Sequence, residues 1–211
     1  MIEVNRSDFH QKALQLCAYG QICYERGWSP ATSSNYSIRL NDSACALTSS
    51  GKHKGRLQAE DILAVNLQGD IITSINDKGK PSAETLLHTQ LYQFDSSIGA
   101  VLHTHSPNAV LLSHIIKNER VRIEGWELLK ALRGVNTHDT HIDIPIFDNT
   151  QDIAALAKQV NSLMTQQPIH AYLIRGHGIY TWGRDIDECF RHLEALESLM
   201  QYELTLLQLR N

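Results

Sequence analysis

The sequence carries two histidines, His103 and His105, directly after the apolar run Ile98–Leu102. Such a run predicts a buried β-strand, and side chains two residues apart on a strand point to the same face. Two neutral imidazoles held this closely can chelate a divalent transition metal. A third histidine, His177, follows a second apolar segment, Ala171–Ile174, and lies between two glycines. Three histidines at strand ends predict an open catalytic metal site with room for water or substrate.

Chance spacing is the competing interpretation of the histidine pair, because the 211 residues include eleven histidines. The third strand-terminal histidine, His177, with glycines that let the backbone approach, favours the metal site. No cysteine lies near any of the three, so a closed cysteine-rich zinc site is not indicated.

Two glutamates are candidates for moving protons at such a site. Glu84 lies in the first turn of the predicted helix Ala83–Phe94, and Glu127 lies in the predicted helical segment Trp126–Leu132. Carboxylates near a metal-polarised carbonyl can transfer protons at the adjacent carbon. The alternatives are a charge that complements a helix N-terminus for Glu84 and a solvated helix residue for Glu127. The pattern alone leaves both interpretations open.

Two segments have the composition of a phosphate site. The loop Thr48–Gly55 contains Ser50 and Gly51, followed by Lys52, His53 and Lys54. Hydroxyl groups and a flexible backbone let O–H and N–H donors converge on an anion. Ser82 precedes a predicted helix, where free N–H groups and the helix dipole favour phosphate. Each segment alone has a simpler interpretation as a turn or a helix cap, but beside a metal site they indicate a small phosphorylated substrate.

Periodicity and turn residues predict alternating helices and strands around these groups. Ser7 or Asp8 is expected to cap the first helix, Asn149 or Thr150 the helix that begins at Asp152, and Pro145 is expected to mark an edge strand. The predicted helices are 7–26, 83–94, 109–116, 126–132, 152–164 and 185–209, and the predicted strands are 35–40, 44–48, 62–66, 98–102, 141–147, 171–174 and 179–182.

Composition predicts one α/β domain over residues 1–211. The net charge of −4, the pI of about 6.2 and the lack of a basic run argue against nucleic-acid and anionic-membrane partners. The N-terminus has no signal-peptide pattern. The scattered cysteines indicate buried thiols in a reducing cytoplasm rather than disulfides.

Five segments, in order along the chain, resemble the class II aldolase/adducin family over essentially its full length. They are Gly27–Ser37, Thr48–Gly51, Pro81–Thr85, His103–Ser106 and His177–Gly183. The resemblance implies a three-layer α/β/α fold with a largely antiparallel central sheet. It also implies a cyclic homotetramer with sites between subunits.

Site roles follow from the resemblance by position. It implies that His103, His105 and His177 bind one Zn²⁺ per subunit, and that Asn35, Ser50, Gly51 and Ser82 bind phosphate. Glu127 matches the acid/base of the dehydratases in the family, whereas Glu84 matches the catalytic glutamate of the aldolases. Since both are present, their division of roles stays open.

The segments Glu84–Tyr92, Trp126–Leu132 and Val135–His138 resemble the dehydratase branch that acts in methionine salvage. This implies zinc-dependent removal of water from 5-methylthioribulose 1-phosphate, giving a 2,3-diketo-5-methylthiopentyl 1-phosphate. The alternatives are a zinc-dependent sugar-phosphate aldolase or ribulose-5-phosphate 4-epimerase and, from another class, a non-catalytic adducin-like interaction module.

Overall fold

The structure, a computed structural model that describes residues 2–74 and 79–210, is built on one sheet of nine strands. Four of the predicted strands have the predicted bounds, and two strands, Ile71–Ser74 and Arg120–Glu124, were not predicted. The strands are β1 Asn35–Asn41, β2 Ala44–Thr48, β3 Ile62–Asn66, β4 Ile71–Ser74, β5 Ala100–Thr104, β6 Arg120–Glu124, β7 His141–Phe147, β8 Ala171–Ile174 and β9 Gly178–Gly183.

The strand order is β4-β3-β2-β1-β5-β9-β8-β7-β6. The sheet is mixed rather than uniformly antiparallel, because β7 and β8 run parallel. The other seven neighbouring pairs in the described ranges are antiparallel. The expectation of a largely antiparallel sheet is therefore corrected to a mixed sheet whose pairs are mostly antiparallel.

Helices cover both faces of the sheet, which gives three layers. Strand residues alternate between two apolar clusters: Ala100 and Leu102 of β5 face one, and Val101 faces the other. The first cluster packs against α1, α3 and α5, and the second against α2 and α4. The helices are α1 Arg6–Glu25, α2 Thr85–Phe94, α3 Pro107–Ile115, α4 Ile153–Gln166 and α5 Ile186–Leu209.

Two predicted helix caps are wrong. The Asn5 side chain caps α1 by accepting hydrogen bonds from the backbone N–H groups of Ser7 and Asp8, at 2.9 and 3.1 Å. Asp152 caps α4 by accepting from Ala155 N–H at 2.9 Å, instead of Asn149 or Thr150. In both helices the capping residue is a polar residue whose side-chain oxygen accepts from a backbone N–H group two or three residues later in the chain.

The strand that contains Pro145 lies inside the sheet, not at its edge. β7 pairs with β6 on one side and with β8 on the other. The parallel ladder to β8 begins only at Ile146, so the missing N–H of Pro145 breaks no bond of that ladder. The edge strand on this side of the sheet is β6, which alternates exposed charges with buried Val121 and Ile123, a pattern that could have revealed it.

All four cysteines, which lie in the described ranges, are free thiols, as predicted. No helix within residues 2–74 and 79–210 combines the length and apolar character needed to cross a membrane.

Candidate metal centre

The register of the sheet brings the three histidines together at the end of β5. His103 lies on β5 opposite Tyr180 of β9. His105 follows the strand and donates its backbone N–H to the carbonyl of Trp28 at 3.0 Å. His177 lies in the turn between β8 and β9. A Cβ at Gly178 would come within 2.1 Å of the Thr104 carbonyl oxygen, so glycine is required for this approach.

The side chains converge on one point together with Glu84, which precedes α2. The His103 and His105 Nε2 atoms are 2.8 Å apart, and the His105 and His177 Nε2 atoms are 3.1 Å apart. The Glu84 carboxylate oxygens lie 3.4 Å from His103 Nε2 and 3.3 Å from His177 Nε2. One ligand atom from each of the four residues lies within 4.8 Å of the others.

The protonation of these groups fits a bound divalent cation. His103 Nδ1 lies 2.9 Å from the carbonyl oxygen of Ile179, which can only accept, so Nδ1 carries the proton and the Nε2 lone pair faces the cluster. Burial lowers the pKa of His103 well below its usual range and that of His105 to about 3, so both rings are neutral at pH 7. Among the described residues, Glu84 Oε1 is buried without a hydrogen-bond partner. Lone pairs and a carboxylate that face one another are the donor set of a transition-metal site.

A buried chain of hydrogen bonds orients Glu84. The Asn35 amide donates from Nδ2 to Glu84 Oε2 at 2.7 Å, so its Oδ1 is free to accept from His88 Nε2. His88 Nδ1 in turn lies 2.8 Å from the Ser37 hydroxyl, which is 2.8 Å from the Tyr92 hydroxyl. Burial lowers the pKa of His88 to about 4, which keeps the ring neutral. This network fixes which end of the Asn35 amide meets the carboxylate.

Two of the four candidate phosphate residues, Asn35 and Ser82, contact Glu84. Asn35 Nδ2 is 3.3 Å from the Ser82 hydroxyl oxygen, and Ser50 donates its N–H to the Lys80 carbonyl at 2.9 Å. Gly51 has φ +73° and open space where a Cβ would lie. The simpler interpretation of Ser82 as the cap of α2 does not hold, since α2 begins at Thr85 and the Ser82 hydroxyl accepts from Glu84 N–H at 3.2 Å.

The basic residues of the neighbouring loop have structural contacts. Lys54 is buried, and its ammonium donates to the carbonyls of Lys52 and Thr32 at 2.8 and 3.4 Å. Burial lowers the pKa of Lys54 to about 8. Lys52 forms an ion pair with Asp61 at 2.8 Å. Lys54 therefore joins the loop before β1 to the loop after β2, and these are the loops that border Asn35 and Ser50.

Glu127 lies apart from this cluster. It begins a 3₁₀ helix, Glu127–Ala131, where a longer helix was predicted, and its side chain is 68% exposed. It forms an ion pair with Lys130 and lies 3.3 Å from His138 Nδ1. The hydrogen bond from Lys130 lowers the pKa of Glu127. Within the described chain, the two candidate glutamates thus have different surroundings, and only Glu84 contacts the cluster of His103, His105 and His177.

Sequence reasoning missed two residues that support the site. His88 lies on α2, four residues after Glu84, which precedes the helix, and this spacing could have revealed it. Glu197 of α5 is buried and accepts a hydrogen bond of 2.6 Å from Ser106, the residue after His105. Burial raises the pKa of Glu197 to about 7. No local sequence pattern indicates Glu197, because its partner is 91 residues away.

The fold and the cluster together are those of an α/β protein with a histidine-rich site that can hold a metal. The model of the family described as Class II Aldolase and Adducin N-terminal domain matches residues 14–204. The chain belongs to the class II aldolase/adducin family.

Relatives within the family share the name of one enzyme. The chain is 55% identical over 203 residues to methylthioribulose-1-phosphate dehydratase of Alcanivorax borkumensis, which covers 96% of this chain and 94% of that protein. It is 47% identical over 212 residues to the enzyme of the same name from Marinobacter nauticus, with both chains covered completely.

Solved structures with the same fold include two distant relatives. An l-fuculose-1-phosphate aldolase from Thermus thermophilus superposes with a TM-score of 0.75 at 24% identity, covering 95% of this chain and 98% of that one. YgbL from Klebsiella pneumoniae, described as a putative aldolase/epimerase/decarboxylase, gives a TM-score of 0.79 at 24% identity, covering 94% and 90%. At this identity the likeness establishes the fold.

Proposed function

We propose that this protein catalyses the dehydration of 5-methylthioribulose 1-phosphate to a 2,3-diketo-5-methylthiopentyl 1-phosphate, a step of methionine salvage. The observation that carries the proposal is the convergence of three histidine Nε2 atoms and the Glu84 carboxylate at the strand ends. The names of relatives at 47–55% identity support the choice of reaction.

His103, His105 and His177 would hold one zinc ion, with the Glu84 carboxylate beside it. Neutral imidazoles and a carboxylate oxygen match the ligand preferences of zinc. Bound there, zinc would supply Lewis-acid chemistry, polarising the C2 carbonyl and the C3 hydroxyl so that the C3 proton becomes acidic. The hydrogen bond from His103 Nδ1–H to the Ile179 carbonyl oxygen holds the ring in the tautomer that this ligation needs.

Asn35, Ser50, Gly51 and Ser82 bind the phosphate of the substrate in this proposal. The hydroxyl groups, the Asn35 amide and the backbone N–H groups around Gly51 are all suitable donors to an anion. The contacts of Asn35 and Ser82 with Glu84 support this, because a phosphate on C1 held there would leave C2 and C3 near the histidines.

Glu127 takes the proton from C3 and then delivers it to the C4 hydroxyl as the C4–O bond breaks and water leaves. The resulting enol rearranges to the diketone. One carboxylate can serve both steps because they occur in sequence. Since Glu127 is exposed and does not contact the cluster of its own chain, we propose a homotetramer in which it serves the cluster of a neighbouring copy.

Product analysis tests the reaction directly. The purified protein is incubated with 5-methylthioribulose 1-phosphate, l-fuculose 1-phosphate and ribulose 5-phosphate in parallel. We expect an unbranched diketone phosphate from the first substrate alone. Cleavage of fuculose 1-phosphate, or epimerisation of ribulose 5-phosphate, without diketone formation would contradict the proposal.

A zinc-dependent aldolase or 4-epimerase is the second candidate. The position of Glu84 favours it, because in that chemistry the glutamate beside the histidines is the proton carrier. A non-catalytic interaction module, the candidate from another class, gives no reason for four converging metal-ligating groups. Elemental analysis of the purified protein separates that candidate from both enzymes.

A further inference from the structure

A pocket of about 470 Å³ opens beside His105 and His177, and the proposed mechanism leaves it without a role. Its apolar wall consists of Pro30, Pro107 and Val110. Among the described residues no carboxylate, ammonium or guanidinium group lines it, and its ionisable groups are the imidazoles of His105 and His177. A pocket without cationic groups or a ring of N–H donors suits an uncharged, apolar group rather than a phosphate.

The pocket and the phosphate residues lie against different members of the cluster. Asn35 and Ser82 contact Glu84, the first at 2.7 Å from its carboxylate and the second at 3.2 Å from its backbone nitrogen. The pocket instead borders His105 and His177. A ketose phosphate with its C1 phosphate at Ser82 and its C2 and C3 oxygens at the histidines therefore extends its far end toward the pocket.

The apolar wall is held rigidly. Pro30 begins a turn in which its carbonyl accepts from Ser33 N–H at 3.1 Å and from the Ser33 hydroxyl at 2.6 Å. The Trp28 carbonyl, two residues earlier, accepts from His105 N–H at 3.0 Å, which joins this turn to the end of β5. Pro107 and Val110 lie in the first turn of α3. Both prolines lack an N–H group, so these parts of the wall offer no backbone donor to a hydroxyl.

We infer that Pro30, Pro107 and Val110 form the subsite for the thioether end of the substrate, and that they select a methylthio group over a hydroxyl at C5. The inference rests on the proposed function and assigns a part of the substrate that the mechanism leaves unplaced. A methylthio group is apolar and polarisable, and burying it against proline rings and a branched side chain removes apolar surface from water. A hydroxyl in the same place loses water without gaining a donor or acceptor from this wall. Pro30 and Pro107 are exposed and Val110 is half-buried, so the wall is open to solvent until a ligand covers it, and the exposed Asn149 and Gln151 form the polar side of the pocket.

Binding of two unreactive ligands tests the subsite independently of turnover. Calorimetry compares 5-methylthioribitol 1-phosphate with ribitol 1-phosphate, which carries a C5 hydroxyl. For the natural protein we expect tighter binding of the methylthio ligand by roughly ten- to a hundredfold, the range for a small apolar group in a fitted pocket. Val110→Asp should reduce this ratio to about one, because it places a charge in the apolar wall, and should leave ribitol 1-phosphate binding within about threefold.

Leu111→Asp is the matched control, since Leu111 is the next residue on α3 and is 51% exposed. It carries the same charge change and should keep the natural ratio. Val110→Thr, a milder change, should lower the ratio by severalfold and covers the case in which Val110→Asp fails to fold. Equal binding of the two ligands by the natural protein, or an equal loss for both ligands in both Val110 variants, would overturn the subsite. If the natural protein prefers the methylthio ligand but does not dehydrate 5-methylthioribulose 1-phosphate, the proposed reaction is contradicted and the subsite is supported.

Discussion

Glu84 and Glu127 are the same side chain in opposite environments. The Glu84 side chain is 12% exposed, lies within 3.4 Å of two histidine nitrogens and accepts a hydrogen bond from Asn35. The Glu127 side chain is 68% exposed, and its ion-pair partners, Lys130 and His138, belong to its own surface segment. Glu84 belongs to a site that sheet register assembles within one chain. Glu127 has no contact with that site in the described part of its own chain.

This difference in environment matches two separate tasks of a catalytic metal site, which are to hold the metal and to move a proton. Groups that hold a metal must converge before substrate arrives, and the strand pairing of β1, β5 and β9 achieves this. A group that moves a proton has to reach the substrate, and it can come from another copy of the chain. The lowered pKa of Glu127 makes it a weak base while Lys130 is its partner. We therefore expect contact with a neighbouring copy to change that pairing.

The largest expected effect is loss of metal from the cluster of Glu84, His103, His105 and His177 when one of its histidines is replaced. His103→Ala should remove zinc, from about one ion per chain, and abolish turnover, because it deletes the fully buried ligand of an open site. Elemental analysis of protein never exposed to chelator measures this. His138→Ala, which removes the histidine beside Glu127, is the control and should retain the metal. A natural protein without stoichiometric metal would contradict the assignment.

Glu127→Gln should come next, with zinc and substrate binding nearly normal and kcat lower by roughly 10²–10⁴-fold, the usual contribution of a general base. Deuterium exchange from solvent into C3 isolates proton removal from the loss of water. Exchange should vanish in Glu127→Gln and persist in Glu84→Gln. The reverse result would transfer the proton step to Glu84 and favour aldolase-type chemistry.

The histidine site could be predicted from sequence because its signals are local. His103 and His105 follow a recognisable strand, and the glycines around His177 mark a close backbone approach. The mixed sheet could not be predicted this way, since the parallel pairing of β7 and β8 depends on long-range contacts. The cap of α1 was misplaced because Asn5, Ser7 and Asp8 are all suitable cap residues and only the fold decides between them.

The support around the site was harder to predict for the same reason. His88, Asn35 and Ser37 form one network, but they lie on an α-helix and a strand about 50 residues apart in sequence. The separation of Glu127 from the histidine cluster was also not predictable, because the sequence of its helical segment does not differ from that of an ordinary amphipathic surface turn. In the proposed tetramer its role would depend on contacts with a neighbouring copy, which the sequence of one chain does not reveal.

A smaller effect is expected from the phosphate residues. Ser50→Ala should raise KM about tenfold with kcat nearly unchanged, since a hydrogen bond to a charged group contributes about 1.5–3 kcal/mol and holds phosphate similarly in both states. Ser50 is the sharper probe because its side chain is exposed, whereas Ser82 also accepts from Glu84 N–H. Steady-state kinetics on 5-methylthioribulose 1-phosphate measures both constants. Natural values in both Ser50→Ala and Ser82→Ala would refute the phosphate assignment.

A third glutamate, Glu197, is buried but does not belong to the metal-binding cluster. The pKa of Glu197 is raised from 4.5 to about 7, so the folded state holds a proton that the unfolded state releases. Its contribution to stability is therefore full below pH 4.5 and is lost as the pH rises through 7. The loss amounts to about 3 kcal/mol in the free energy of unfolding. Urea unfolding at pH 5 and pH 8 should show most of this loss in the natural protein. In Glu197→Gln, which has no carboxyl group to titrate at this position, the loss due to Glu197 should be absent. An identical pH dependence in the two proteins would disprove it.

Mixing two inactive variants tests most directly whether Glu127 serves a neighbouring copy. His103→Ala lacks the metal site but keeps Glu127, and Glu127→Gln has the reverse defect. If the two regions meet between copies, mixed oligomers contain intact sites, and an equal mixture should recover about a quarter of natural activity because half of the metal sites are intact and half of their neighbours carry Glu127. His103→Ala mixed with His177→Ala, whose defects lie in the same cluster of one chain, should recover none. No recovery in the first mixture, with mixed oligomers shown to form by native mass spectrometry, would contradict the account.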